Sequence, residues 1–295
     1  MKLVVGIYGS RKPKQESSGA ILDWQNWVIE KVGVPTHVEG RFCGDPGGLK
    51  PDKAYTFRRY HSRFDEQIAT GNVELLTLTA MKSRPKGYIA FEWDWTASFG
   101  FGEGSTGGGP ISALGVVLGL GRQSASELTY QYVQAVIPKL CTEYGFAATM
   151  PQEFMPAGYA IGLACGGAPK ELRFDANAWM SFARKECGKT LRNVFGYNIL
   201  NSRHLNIDIG GQPLRAWIIK EAYRGRLEPL NGDLFIWTFQ QDDDREAFLQ
   251  WDFAPVVRVR EELEQYQLFP WQRLVEQERA TAQARDKRDR TTKGR

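Results

Sequence analysis

GRLEPLNGDLFIWTF, Gly225 to Phe239, places Asn231-Gly232 between two runs of strand character. An Asn-Gly pair accepts the positive φ angles of a tight turn, so the stretch predicts a two-residue β-hairpin. Pro229 has no backbone donor, which pushes the first strand of that hairpin to a sheet edge. Upstream, Asp175 reads as the N-cap of a helix with Trp179, Phe182 and Ala183 on one face and Gly188 as its stop. The first half repeats the mixture of elements. Leu3–Tyr8 reads as a strand, and Ile21, Trp24, Val28 and Val32 recur at helical spacing before a capping Gly33. YTFRRYHSRFDEQI puts Phe57, Tyr60, Phe64 and Ile68 on a second helical stripe, with Arg58, Arg59 and Arg63 on its solvated side. Strands follow near Val73–Thr79 and Tyr88–Trp95. Ser124 and Glu127 then form a capping box for a helix carrying Leu128, Tyr132, Val136, Leu140 and Tyr144, kinked at Pro138 and closed by Gly145. Strands and helices in both halves, with a clear hairpin, predict an α+β fold of mixed or antiparallel sheets packed with helices.

Proline and glycine accumulate between Ala147 and Pro169, which sets an expected boundary between regions 1–150 and 151–277. The chain of 295 residues is long enough to bury a core without staples. Its net charge of +4 lies in one place: residues 278–295 hold seven Lys/Arg against three Asp/Glu, leaving 31 charges of each sign in residues 1–277. That tail lacks an apolar period and reads as disordered or as a frayed helix end that solubilises the chain, so no direct nucleic-acid contact is expected. No apolar run approaches the roughly 18 residues of a membrane span, and MKLVVGIYGSRKPK lacks the features of a signal peptide. A cytoplasmic protein with no membrane contact is expected. Cys43, Cys141, Cys165 and Cys187 are far apart and read as free thiols, and His37, His61 and His204 are equally scattered. Neither set has zinc-ligand spacing, so no metal and no cofactor are expected.

FGFGEGSTGGGP, Phe99 to Pro110, contains Gly102, Gly104 and Gly107 in the spacing G-x-G-x-x-G. A dinucleotide cradle needs a buried parallel strand before the glycines and a helix after them. The preceding residues instead alternate, with Ile89, Phe91, Trp93 and Trp95 opposite Tyr88, Ala90, Glu92 and Asp94. The following GGGPISALGVVLGLG is too rich in glycine to start a helix. A loop over 102–109 is therefore expected beside the acidic Glu92–Asp94 face. This makes Glu92, Asp94 and Glu103 candidate partner contacts. QQDDDREAF holds the densest acidic run, Asp242, Asp243 and Asp244. These residues suit the N-terminus of a helix through Phe248 and Leu249, and they are also candidate contacts for a basic partner. No Ser/His/Asp or Cys/His arrangement is readable from spacing, so no catalytic residue is named and the chain is not expected to be an enzyme. The alternative is a nucleotide-binding or metal-dependent enzyme using loop 102–109.

YNILNSRHLNIDIGGQPLRAWI, Tyr197 to Ile218, together with Gly225–Phe239 and the V-R-x-x-L pattern at Val259–Leu263, resembles immunity protein family fifty-two. The matching elements are N-x-L-x-x-x-H-L at Asn198–Leu205, Gly210-Gly211 leading to Leu214 and Trp217-Ile218, then Gly225-Arg226-Leu227 and Trp237. VGIYGSRK and FEWDW add looser matches. The resemblance covers mainly the second half of the chain. The family comprises bacterial antidotes paired with polymorphic toxins, TsiT-type antidotes to type VI secretion effectors with a restriction-endonuclease-like nuclease domain among them. The resemblance implies a cytoplasmic immunity protein whose partner is a cognate nuclease toxin. The neutral body of the chain departs from a strongly acidic nucleic-acid mimic, so shape and local charge would carry the inhibition.

Overall fold

The computed structural model describes residues 1–10, 14–42, 55–56, 65–66, 69–70, 73–80, 94–104, 108–119, 124–137, 141–162, 167–181, 187–240 and 246–293. The strands are β1 (Lys2–Ser10), β2 (His37–Phe42), β3 (Tyr55–Thr56), β4 (Val73–Ala80), β5 (Trp95–Gly104), β6 (Gly108–Gly119), β7 (Cys141–Met150), β8 (Tyr197–Asn201), β9 (Arg226–Asn231) and β10 (Leu234–Thr238). They form one sheet in the order β3-β2-β4-β5-β6-β1-β7-β8-β10-β9, every neighbouring pair antiparallel. The helices are α1 (Lys14–Lys31), α2 (Ala125–Val136), α3 (Pro156–Ile161), α4 (Lys170–Ser181), α5 (Ser202–Leu205), α6 (Leu214–Ile219), α7 (Ala254–Glu264) and α8 (Pro270–Lys293). The α+β class expected from the hairpin is the one observed.

β1 lies near the middle of the sheet, and consecutive residues Leu3, Val4, Val5, Ile7 and Tyr8 are all buried. A strand buried on both alternating faces needs cover on each side. On the Tyr8 face, its hydroxyl donates to the Ala160 carbonyl of α3 and its ring meets Trp179 of α4 edge-on at 4.8 Å. α1 and α2 pack together, with Trp24 Nε1 donating to the Tyr132 hydroxyl at 2.9 Å. β7 pairs with β1 on one side and β8 on the other, so the sheet runs on across the boundary expected at residue 150.

The expected hairpin forms, with its two-residue turn one position later than Asn231-Gly232: β9 ends at Asn231, which pairs with Leu234 at the start of β10, and Gly232, with φ +57°, and Asp233 make the turn. A bulge between Leu234 and Phe235 sets Phe235 opposite Pro229, and β9 is the terminal strand of the sheet. Ser124 caps α2 as read, its Oγ accepting from the Glu127 N–H at 3.4 Å, but α2 ends at Val136 with Ile137 as cap. The Ile137 N–H closes the helix on the Val133 carbonyl, well short of the Gly145 end that periodicity predicted. Tyr144 and Gly145 belong to β7.

Two further expectations change. Asp175 is interior to α4, which starts five residues earlier at Lys170. The glycine-rich segment is β5 and β6, an antiparallel pair with Gly104 opposite Gly108, and residues 105–107 lie outside the described residues. Of the strand expected at Tyr88–Trp95, residues 88–93 lie outside the described residues, and Trp95, expected on its apolar face, is buried and opens β5. Residues 278–293, read as disordered or as a frayed helix end, continue α8. Of the second helical stripe, Tyr55–Thr56 is strand β3, and residues 57–64, 67 and 68 lie outside the described residues.

Candidate functional site

The strongest electrostatic feature is internal and carries no local sequence signal. Arg192, in the segment between α4 and β8, is completely buried. Its Nε donates to Asp175 Oδ2 at 2.9 Å, Nη1 to the Tyr8 hydroxyl at 3.0 Å and the Ala160 carbonyl at 3.2 Å, and Nη2 to the Tyr159 carbonyl at 2.6 Å. The guanidinium lies 4.2 Å from the Tyr159 ring centroid, and the Tyr159 hydroxyl donates to Asp175. Burial works against the charge on Arg192, but Asp175, Tyr159 and Tyr8 outweigh it and hold its pKa above the ordinary value. Burial raises the Asp175 carboxyl against the opposing pull of Arg192 and Tyr159. The cluster ties β1, α3, α4 and the 187–195 segment into one body, with its donors and acceptors turned inward.

The residues quoted in the resemblance also hold structural positions. Asn198 Oδ1 accepts from the Phe195 N–H at 3.0 Å while Nδ2 donates to the Phe195 carbonyl at 2.6 Å and the Trp237 carbonyl at 3.3 Å. Asn201 caps α5 through the N–H groups of Arg203 and His204, and its Nδ2 donates to the carbonyls of Glu143 and Gly188, both at 3.1 Å. His204 Nδ1 accepts from the Asn201 N–H at 3.2 Å, which fixes the ring proton on Nε2, 2.8 Å from the Cys187 carbonyl. Burial lowers the pKa of this histidine to about 4. Leu205, Leu214, Trp217 and Ile218 are buried behind these caps, and Trp237 Nε1 donates to the Arg224 carbonyl at 2.7 Å. The pattern residues therefore build one unit, β8 to β10 with α5 and α6.

That unit frames an open polar cleft of about 370 Å³, lined by Ile137 after α2, Cys141–Glu143 of β7, Asn201, Arg203 and the Asn231–Leu234 turn. Ser202 Oγ donates to Asp233 Oδ2 at 2.9 Å on its rim. Glu143 accepts from the Cys187 thiol at 3.7 Å, and the Cys141 thiol is free and exposed. Carboxylates, amides and one guanidinium line the same opening, a surface suited to hydrogen bonding with another polar surface.

The acidic candidates do not meet in this cleft. Asp94 sits where β4 meets β5: its N–H donates to the Ala80 carbonyl at 2.9 Å and its carbonyl accepts from Lys2 Nζ at 2.8 Å. Lys2 and Ser10 are the two ends of β1, and Cys141 of the cleft pairs with Ser10, so Asp94 and the cleft lie at opposite ends of that strand. Glu103 falls in the backbone of β5. Glu92, Asp242, Asp243 and Asp244 lie outside the described residues. Of the helix expected to run from Asp242 through Phe248 and Leu249, the described residues form a short 3-10 segment, Ala247–Leu249, with Glu246 before it. Glu246 Oε1 accepts from the Ala125 N–H of α2 at 2.8 Å, a capping contact the sequence did not announce. Among the described residues, no group of three His, Cys, Asp or Glu is arranged to hold a metal ion, and no helix is long and apolar enough to cross a membrane. The phosphate-cradle alternative loses its geometry, because the chain enters and leaves the glycines as antiparallel strands.

Among the described residues, these features define an α+β protein on one ten-stranded antiparallel sheet, with the Arg192–Asp175 pair and His204 locked inside and a polar cleft at one end. No protein-family model and no curated protein matches the chain. Among solved structures it is similar to the Pseudomonas aeruginosa T6SS protein PA0821, at 16% identity and a TM-score of 0.45, over 89% of this chain and 72% of that one. It is also similar to a chain in the structure of the toxic C-terminal tip of CdiA from Pseudomonas aeruginosa in complex with immune protein. That match has 12% identity and a TM-score of 0.24, over 52% of this chain and 89% of the other. Both TM-scores lie below 0.5, and the function rests on the residues of the chain itself.

Proposed function

We propose that this protein is an immunity protein that binds and neutralises a cognate nuclease toxin in the cell that makes both. The observation that carries the reading is the convergence of the Tyr197–Ile218 and Gly225–Phe239 resemblance on one unit. Asn198, Asn201, His204, Leu214, Trp217 and Trp237 hold that unit together from within, and Arg203 with Asn231–Asp233 stands exposed on its outside. A rigid interior behind a polar surface is what a binding protein needs to keep its ordering cost low on association. The buried charges Arg192 and Asp175 and the neutral His204 are satisfied internally, so they support the scaffold rather than turnover.

The test is co-expression with the toxin encoded beside this gene. Cells carrying the toxin and this protein are expected to grow as toxin-free cells do. Equal killing with and without the protein contradicts the proposal.

A further inference from the structure

The polar cleft brings four segments to one opening: the start of β7, the junction of β8 with α5, the turn at Gly232 and Asp233, and the Ile137 cap of α2. Ile137 and Leu234 give it a buried apolar part. Its walls are fixed by pairing and capping. Asn201 ends β8 opposite Leu234 of β10, and its Nδ2 ties the carbonyls of Glu143 and Gly188 together.

Three charged side chains line this opening. Glu143 Oε2 accepts from the Cys187 thiol and Asp233 Oδ2 from the Ser202 hydroxyl, so each carboxylate is oriented through one oxygen. Their other oxygens, Oε1 and Oδ1, have no partner among the described residues, and the exposed Arg203 guanidinium makes neither a hydrogen bond nor an ion pair among them. The three charges thus share one opening without neutralising one another. Two carboxylates against one guanidinium leave the described lining with a surplus of one negative charge. An ionised carboxylate only accepts hydrogen bonds, so the group that satisfies both free oxygens is a cationic donor, an ammonium or a guanidinium. The partner proposed above is a nuclease, and a protein that holds a phosphate backbone carries exposed lysine and arginine for that purpose. Much of the side-chain ordering that association requires is already in place on this side of the contact.

We infer that the cleft is a docking site for a lysine or arginine side chain of the toxin, its N–H groups shared between Glu143 Oε1 and Asp233 Oδ1, with Arg203 taking no part in the attraction. The inference rests on the partner-binding reading above. It sets the contact on two carboxylates that the fold gathers from β7 and the hairpin turn, whereas the candidates taken from sequence density lie elsewhere.

The experiment measures the Kd between the full chain and the purified toxin encoded beside it, with the Tm of every variant recorded in parallel. Glu143→Gln and Asp233→Asn keep an acceptor for Cys187 and Ser202 and remove only the charge. Each is expected to weaken binding about ten-fold with Tm unchanged, and the loss should shrink as salt is raised. Arg203→Ala is expected not to weaken binding. The exposed Cys141 thiol on the cleft wall reports occupancy: its alkylation by N-ethylmaleimide, followed by mass spectrometry, should slow in the complex. If the wild-type chain binds but Cys141 reacts as fast in the complex as in the free chain, the cleft is not the contact. If both carboxylate variants keep the wild-type Kd, or Arg203→Ala weakens binding, the occupant is not a basic side chain. Any of these results overturns the docking site while the partner-binding reading stands. A wild-type chain that shows no binding overturns both.

Discussion

Protonating His204 should destabilise this protein beyond what the titration of its carboxylates alone would do. The ring is buried, its Nδ1 accepts from the Asn201 N–H, and its Nε2 proton points at the Cys187 carbonyl. A second ring proton on Nδ1 would face the Asn201 N–H, so charging this histidine breaks the α5 cap as well as burying a cation. Its pKa is lowered by burial from 6.5 to about 4. Because the folded value lies below the unfolded one, the stabilising term is fully present above about pH 6.5 and is lost as pH falls toward 4. At about 1.36 kcal/mol per pH unit, that gap corresponds to about 3 kcal/mol. The assay is urea unfolding of the wild type and of His204→Gln between about pH 7 and pH 4. Glutamine keeps an acceptor for the cap and cannot charge, and the difference between the two proteins cancels the titration of shared carboxylates. The wild type is expected to lose about 3 kcal/mol more than the variant across that range. A stability difference that stays constant from pH 7 to pH 4 would refute the reasoning.

Three further variants probe the scaffold by denaturant unfolding. Asp175→Asn removes the carboxylate facing the fully buried Arg192 and is expected to cost about 3 to 5 kcal/mol, the range for breaking a buried ion pair from one side; a loss under about 1 kcal/mol contradicts the assigned pairing. Gly225 has φ +91° and an added Cβ would sit 2.6 Å from the Thr238 carbonyl, whereas Gly211 at φ +89° faces open space. Gly225→Ala should therefore destabilise more than Gly211→Ala, which carries only backbone strain of about 1 to 3 kcal/mol; equal losses would mean that the close approach is absent. Glu246→Ala strips the acceptor from the Ala125 N–H at the start of α2 and should cost about 1 kcal/mol, with no change expected if that cap is unimportant.

The hairpin was legible because its signal is local. Gly232 supplies the positive φ of the turn and Pro229 marks the edge, whereas the bulge between Leu234 and Phe235 that sets the register has no signal in the sequence. β1 and the Ser124 cap were readable for the same reason. Asp175 was not, since an aspartate before an apolar stripe looks the same whether it caps a helix or sits inside one; Arg192, 17 residues on, makes the difference. Tyr144 kept the helical period of the residues before it, but pairing with Tyr8 on β1 takes it into the sheet. The glycine-rich segment lost its loop reading because strand partners on both sides, β4 beside β5 and β1 beside β6, supply the order that its own propensity lacks. The stacking of Arg224 on Trp217 and of Arg258 on Tyr223 was invisible for a different reason. Trp217, Tyr223, Arg224, Arg258 and Glu262 come from two separated segments whose charges look like ordinary solvation until the fold stacks them. Charge density along the chain directed attention to Asp242–Asp244 instead.

The central claim is that this protein recognises a protein toxin directly. Isothermal titration of the purified full chain into the purified toxin of the adjacent gene tests it most directly. A saturable complex with nanomolar Kd is predicted, in the range typical of specific protein pairs of standard interface size. The absence of binding heat and of co-elution at about 10 μM of each protein would contradict it.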